Sequence, residues 1–449
     1  MPNPDYNNPL ICALNGALLK THLKSERLLF GFKSGLERLM SSDIDLQRLE
    51  LERADPTVSS FEVPLSQEVY DFLKAEKSRG RHLILDTSES IDAVDEILSE
   101  KNLFDATVNL KTQQPPDSYD YIGGRKTPAS IWEQANKKYL VGNSEAPKSF
   151  TGHFKTPKAD TKTLIKAIRA HQWLKNLLVF VPIITSQQLS SPDALLSTII
   201  MFVCFSAVAS FGYIFNDLLD LQSDRAHQTK CRRPFASGQL SALQGMLIGA
   251  MLLLIAITGC FFVPSISAWV LVAYLLLTMC YSVYLKTKLM IDVVSLGALF
   301  TLRVIGGAAA IETELSFYLL SFSIFLFSSL GMVKRYAELH NLQAMDKLSA
   351  RGRGYRVEDM APVRIIGISL GYMSVFIMGL YINSPLITQY YSNPKIVWFL
   401  FPLLTYWLGR LWILANRGEV NEDPLIFAAK DTTSLLVAAL SAVTLIIAD

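Results

Sequence analysis

Residues 192–238 read PDALLSTIIMFVCFSAVASFGYIFNDLLDLQSDRAHQTKCRRPFASG, and the stretch changes character at Asn216. Before that point, 192–215 carries one charged residue, Asp193, and is long enough to cross a hydrocarbon core of about 30 Å. After it, Asn216, Asp220 and Asp224 are spaced four apart, with Asp217 three before Asp220. On a continuing helix these side chains share one face. Three carboxylates on one face repel one another unless a cation sits among them. Mg²⁺ suits such a set, because it takes oxygen ligands, keeps several waters and is often shared between carboxylates and substrate phosphates. Arg225, Lys230, Arg232 and Arg233 follow at once and offer partners for phosphate. Chance acids in a solvated loop are the plainer alternative. The position at the end of an apolar span argues against it.

The surrounding sequence makes that span one of many. Half of the 449 residues are hydrophobic and 18% are charged, which is too apolar for an ordinary soluble protein of this length. From residue 164 onward, nine apolar stretches have roughly the length of a membrane crossing, near 165–186, 192–215, 241–263, 266–284, 289–311, 316–333, 362–382, 395–414 and 430–448. The first is the weakest, because His171, Lys175 and Asn176 interrupt it. An interfacial helix leading into a shorter span is the alternative there, which would bring the count to eight. Lys and Arg concentrate in every second connection, including Lys286 and Lys288, the run from Lys334 to Arg356, and Arg410 with Arg417, so these connections are expected on the cytoplasmic side.

Residues 1–157 have a different composition. Short apolar runs such as PLICALNGALL and HLILDTS alternate with charged amphipathic stretches, which predicts a small α/β domain. The segment SFTGHFKTPKADTKT reads as the linker to the membrane part, residues 158–449. The amino terminus has no basic start followed by an apolar core and a small-residue cleavage site, so this domain is expected in the cytosol. The five cysteines are odd in number and never form a CxxC pair, which predicts free thiols and no zinc site. A net charge of +2, with no basic run interleaved with aromatics, excludes a nucleic-acid role.

Further polar residues fall where apolar spans end. Tyr281, Lys286, Lys288 and Asp292 flank the connection between the fourth and fifth spans, and Arg303 lies about 16 Å deeper along a helix. A charge at that depth needs a partner or a polar cavity. Lys334, Arg335 and Glu338 close the sixth span, where a Lys334–Glu338 pair four residues apart is the alternative to phosphate contact. Lys175 and Asn176 mark the start of the first span, and snorkelling alone would explain Lys175.

Taken with the spans, these motifs resemble the UbiA superfamily of intramembrane prenyltransferases over nearly all of 160–449. The resemblance rests on Asn216, Asp217, Asp220 and Asp224 as NDxxDxxxD, on RPFASG from Arg233 to Gly238, and on Tyr281, Lys286 and Asp292. RAHQWLKN, DRAHQTK and KRYAEL look most like the decaprenyl-phosphate phosphoribosyltransferase branch. The resemblance implies nine transmembrane helices around a lateral cavity, with Mg²⁺ on Asp217, Asp220 and Asp224 and a diphosphate beneath cytoplasmic loops. It also implies that Asn216 belongs to the catalytic set and that Lys175, Asn176, Arg225, Lys230, Arg233, Tyr281, Lys286, Asp292, Arg303, Lys334 and Arg335 bind phosphate.

The amino-terminal domain is similar to haloacid dehalogenase-like phosphatases, whose first strand ends in hhhDxDGT. Here LICALNGAL puts Ala13, Asn15 and Ala17 at the two aspartates and the threonine, and GNSEAP puts Asn143 and Pro147 at the expected metal ligands. Asp86 or Thr87 stands near the second-strand hydroxyl, and Lys126 matches the family lysine. With every essential carboxylate missing, the domain is expected to be catalytically inert.

The expected activity is Mg²⁺-dependent transfer of 5-phosphoribose from phosphoribosyl pyrophosphate to a polyprenyl phosphate, in the inner (plasma) membrane of a bacterial-type cell. Two alternatives stand beside it. One is a prenyltransferase that uses a polyprenyl diphosphate on an aromatic or other acceptor. The other is a membrane transporter or scaffold without enzymatic activity, although the Gly-interrupted repeated halves expected of many transporters are not evident. A homo-oligomer is compatible with all three.

Overall fold

The computed structural model describes residues 8–40, 63–89, 103–142, 149–156, 159–227, 229–345, 354–385, 387–420 and 423–448. Asn143 and Pro147 lie outside them. The chain divides into two compact units, one formed by 1–168 with 213–248 and the other by 169–212 with 249–449.

The first unit is built on a six-stranded parallel sheet in the order β3-β2-β1-β4-β5-β6. Its strands are β1 (Leu10–Ala13), β2 (Leu83–Asp86), β3 (Ala106–Val108), β4 (Asp120–Gly124), β5 (Lys138–Gly142) and β6 (Gly152–Lys155). β1 lies inside the sheet, with Leu10 opposite Leu83 on one side and Ile11 opposite Tyr121 on the other. That placement explains its unbroken apolar sequence, because a parallel strand covered on both faces has no polar side to show. Strand order reverses between β1 and β4, which in a parallel sheet opens a crevice at the carboxyl ends of the strands. The chain turns there through Gly16, whose φ of +84° favours glycine. Gly124 faces it so closely that a Cβ would lie 2.6 Å from the Gly16 carbonyl oxygen. The α/β reading of this region therefore matches the observed sheet.

The rest of the chain is helical. Among the described residues, seven helices are long and apolar enough to cross a membrane: Pro192–Leu219, Ala242–Cys260, Ser265–Val283, Ile291–Ala310, Phe317–Ala344, Val357–Ile382 and Pro394–Asn416. Pro424–Lys430 and Thr432–Ala448, bent by 82°, make an eighth if they count as one span. Against nine expected crossings, with eight as the alternative, the described residues hold seven or eight candidate spans by length and composition. The stretch near 165–186 does not form one long helix. It is divided into Thr161–Ala167, a 3-10 segment Ala170–Phe180 and a short helix Val181–Thr185. Arg169 takes a left-handed φ of 51° between the first two pieces, which stops an α-helix, and Pro182 opens the third.

Inside the second unit, small residues let helices approach closely. A Cβ at Gly367 would lie 2.3 Å from the Trp412 ring, and Ser329 Oγ donates to the Gly367 carbonyl at 2.7 Å. Large apolar side chains such as Trp269, Phe261, Leu254 and Met251 point outward and are more than half exposed. Such a surface suits lipid rather than water. All five cysteines are free, as their spacing predicts.

Candidate active site

In the first unit, the carboxyl-terminal end of the Pro192–Leu219 helix delivers Asn216 and Asp217 on its last turn. The helical spacing carries on past its end. Asp220 N–H donates to the Asn216 carbonyl at 2.9 Å, and Asp224 N–H to the Asp220 carbonyl at 2.8 Å. Asp220 stands at the junction with the one-turn helix Leu221–Arg225, so the backbone spacing continues across a slight break. Asp217 and Asp224 are each only 3% exposed. Burying two carboxylates is costly unless a cation compensates them. Arg233 does so: its Nη1 lies 3.2 Å from Asp217 Oδ1 and 2.6 Å from Asp224 Oδ2.

Arg233 is aimed by the loop that follows it. Ser237 N–H donates to the Arg233 carbonyl and Leu240 N–H to the Pro234 carbonyl, at 2.9 and 3.0 Å. Phe235, 2% exposed, anchors this tight loop against Gly245, where a Cβ would lie 2.7 Å from the ring. Lys230 sits exposed on the single 3-10 turn Lys230–Arg232. Arg225 turns back toward the amino-terminal region, where its guanidinium pairs with Glu26.

The donor set fits magnesium. Three carboxylates and an amide oxygen are hard ligands, and Asp217 and Asp224 already lie close enough to share one positive charge. Among the described residues, no group of three His, Cys, Asp or Glu side chains forms a cage for a metal ion. Mg²⁺ seldom needs one, because one or two carboxylates with waters and substrate phosphates suffice.

The second unit gathers the other predicted residues into two buried networks. In one, Arg303, 4% exposed, donates from Nε to Asn176 Oδ1 at 2.7 Å and from Nη2 to Tyr274 Oη at 2.7 Å. Its Nη1 reaches the Leu299 carbonyl at 2.5 Å, and Asn176, fully buried, is held in turn by Ser206. Depth in the span thus brought a set of neutral acceptors rather than a counter-charge.

In the other network, Arg335 Nε lies 2.8 Å from Asp292 Oδ2, with both side chains at most 1% exposed. Arg335 also pairs with Glu338 and donates to Tyr281 Oη at 3.3 Å. Tyr281 and Asp292 are therefore joined through Arg335, and Lys286 sits half-buried on the 3-10 turn Leu285–Thr287. Glu338 bonds to Arg335 rather than to Lys334. Lys334 is half-buried, and among the described residues its ammonium makes no hydrogen bond or ion pair. Lys175 pairs with Asp423 instead of reaching for a membrane margin.

Residues 177–446 match the description "UbiA prenyltransferase family". The chain belongs to the UbiA prenyltransferase family. It is a membrane transferase, and the transporter or scaffold reading loses its support. It is 32% identical to the protein y4nM of Sinorhizobium fredii over 98% of this chain and 90% of that one. It is 33% identical to the decaprenyl-phosphate phosphoribosyltransferase of Mycobacterium tuberculosis over 39% of this chain and 60% of that protein. A solved UbiA homolog from Archaeoglobus fulgidus, bound to GPP and Mg²⁺, aligns with a TM-score of 0.50 at 14% identity, over 63% of this chain and 99% of its own, and shares the fold.

Four residues in these networks escaped the sequence reading: Glu26, Tyr274, Tyr355 and Asp423. Tyr355 Oη donates to Asp292 Oδ1 at 2.9 Å, and burial beside that carboxylate pushes the Tyr355 hydroxyl up, which keeps it a donor. Asp423 did leave a local signal, because an Asp before Pro424 at a helix start is a capping pattern. Its Oδ1 accepts from Leu425 N–H at 3.2 Å.

Proposed function

We propose that this UbiA-family enzyme transfers 5-phosphoribose from phosphoribosyl pyrophosphate to a polyprenyl phosphate. The observation that carries the diphosphate chemistry is the buried Asp217–Arg233–Asp224 cluster at the end of a membrane helix. The phosphoribosyl choice draws on the likeness to the Mycobacterium tuberculosis transferase and on the RAHQWLKN, DRAHQTK and KRYAEL segments.

In this reading Asp217 and Asp224, with Asp220 and Asn216, would hold Mg²⁺, which would supply charge neutralisation to the pyrophosphate leaving group. Arg233 shifts its hydrogen bonds from the two carboxylates to diphosphate oxygens, where a fork-shaped cation binds well. An oxygen of the lipid phosphate attacks the anomeric carbon, the bond to pyrophosphate breaks, and the charge developing on the leaving group is met by these fixed donors. In the second unit, the Lys334 ammonium is the group best suited to take a phosphate, whereas Arg303 and Arg335 hold Asn176, Tyr274, Tyr281 and Asp292 in place. The basic connections face the cytoplasm of a bacterial-type plasma membrane, as their charge bias requires.

The amino-terminal domain, in the same proposal, is an inert haloacid dehalogenase-like domain. The parallel sheet with β1 at its switch point supports this. So do the neutral Ala13 and Asn15 where that chemistry places its acids.

A polyprenyl diphosphate-dependent prenyltransferase is the second reading, favoured by the family's own description and by the GPP-bound homolog. Mg²⁺-supplied membranes containing the protein separate the two. They are given either labelled phosphoribosyl pyrophosphate with polyprenyl phosphate, or labelled polyprenyl diphosphate with aromatic acceptors. Label from the ribosyl donor should appear in lipid. Label passing only from the prenyl donor to an acceptor overturns the proposal.

A further inference from the structure

The amino-terminal domain has lost its acids but not its contacts. Arg225 directly follows Asp224, and its guanidinium grips the Glu26 carboxylate with both arms, Nη1 to Oε2 at 3.1 Å and Nη2 to Oε1 at 3.0 Å. Its Nε also reaches the Ala236 carbonyl at 3.3 Å, inside the loop that aims Arg233. One side chain thus ties together the Leu23–Met40 helix, the end of the aspartate-rich segment and the RPFASG loop. The Arg225 and Glu26 side chains are 5% and 1% exposed. A buried ion pair is weak evidence for stability but a good device for fixing one register among several.

Two further observations bear on the same contact. Gly238, at φ +74°, closes the loop so tightly against the amino-terminal region that a Cβ would lie 2.9 Å from Pro64 Cγ and 3.0 Å from Lys20 Cβ. Pro64 and Lys20 are themselves joined, Lys20 N–H donating to the Pro64 carbonyl at 3.0 Å. Asn15, at the position of a lost catalytic acid, accepts from Leu23 N–H at 3.1 Å and caps the helix that carries Glu26.

We propose that Glu26 is a positioning residue for the transferase: through Arg225 it fixes the segment from Asp220 to Gly238 so that Asp217, Asp224 and Arg233 converge. The inert domain is then a brace for the metal-binding end, and Arg225 serves that brace rather than a substrate phosphate. The inference rests on the transferase reading only in the purpose it gives the brace.

The test uses the full-length protein in membranes, with Glu26→Gln, Arg225→Met and the double variant. Two readouts come from turnover, kcat and the half-saturating Mg²⁺ concentration. A third needs no substrate: trypsin cleavage after Lys230 and Arg232, both exposed. Each single variant should raise the Mg²⁺ requirement about tenfold, change kcat by less than about threefold and speed cleavage. The double variant should be no worse than the worse single, as expected of two residues acting as one unit. Additive losses overturn the brace. So does Arg225→Met abolishing transfer while Glu26→Gln behaves like wild type, which would make Arg225 a direct phosphate ligand. If Glu26→Gln fails to accumulate, Glu26→Asp keeps the charge with a shorter reach, and unchanged trypsin cleavage in it overturns the proposal. If wild type turns over no diphosphate substrate, the transfer reading fails while trypsin alone decides the brace.

Discussion

The end of β1 and the end of the Pro192–Leu219 helix both set polar residues where an apolar element stops, and they use them in opposite ways. At the ends of β1 and its neighbour β2, carboxylate and amide oxygens are committed to the fold. Asn15 caps a helix, and Asp86, opposite Ala13 on the neighbouring strand, accepts from Tyr121 Oη at 2.6 Å and from Leu110 N–H at 3.1 Å. Burial, with Asp86 beside it, pushes the Tyr121 hydroxyl up, so it stays a donor at any ordinary pH. After the membrane helix, two buried carboxylates are compensated by one guanidinium whose side chain is still 29% exposed. Side chains satisfied by backbone donors hold a shape. Carboxylates sharing a partly exposed cation can exchange it for a substrate-borne one.

The largest expected effect tests the second half of that contrast. Asp217→Asn or Asp220→Asn should lower transfer by several orders of magnitude while the protein still accumulates in membranes, because in the proposed site each would lose a charged Mg²⁺ ligand. Near-normal turnover in either variant refutes the assignment.

Next comes the contrast between a buried and a half-buried cation of the second unit. Arg303→Leu leaves the buried Asn176 Oδ1 without its guanidinium donor and takes the same donor from Tyr274, and should cost about 3 kcal/mol as well as impairing transfer. Lys175→Ala leaves Asp423 still bonded to the Leu425 and Ile426 N–H groups, and should cost about 1 kcal/mol. Thermal denaturation in detergent, run alongside activity, measures both. Equal, mild effects would reduce Arg303 to a topology signal.

How far the sequence foretold these networks follows from how each signal is written along the chain. The aspartate-rich segment was legible because its residues lie within one stretch at helical spacing, and the spans because hydropathy is local. Arg303 announced that it needed partners, through its depth, but not which ones: Asn176 is 127 residues away and Tyr274 sits on a different helix. Lys175 and Asp423 are 248 residues apart, and Arg225 and Glu26 are 199 apart. Pairs set by tertiary packing leave no periodic trace. Apolar content cannot show a left-handed residue such as Arg169, which divides the first expected stretch and fits the alternative of an interfacial segment leading into a shorter span.

A smaller effect comes from the edge of the sheet. The hydrogen bond from Lys77, with help from Leu83 N–H, holds the Asp105 carboxyl below its usual range. Its contribution to stability is therefore fully present above the ordinary aspartate pKa of about 3.9 and is lost as pH falls through the lowered folded value. Asp105→Asn should flatten the acid limb of the stability profile slightly and leave the neutral region unchanged. A profile identical to wild type at low pH would show that the bond contributes nothing.

The smallest expected effect is none. Ala13→Asp restores a carboxylate at the position where the haloacid dehalogenase resemblance puts its nucleophile, and the full-length variant should still hydrolyse no simple phosphate ester, with or without Mg²⁺. Ala13 is 8% exposed and paired across the sheet with Asp86, so the new acid would be buried beside a like charge, which favours its protonated, non-nucleophilic form. Asn15 cannot act as the acid or base that such chemistry needs, and its side-chain oxygen is already engaged by Leu23 N–H. Steady Mg²⁺-dependent release of phosphate by this variant that persists when Asp217→Asn is added would mean that the crevice kept its catalytic machinery. Hydrolysis by the unaltered protein that survives Asp217→Asn would go further and make the amino-terminal domain a second active site, erasing the contrast between the two ends.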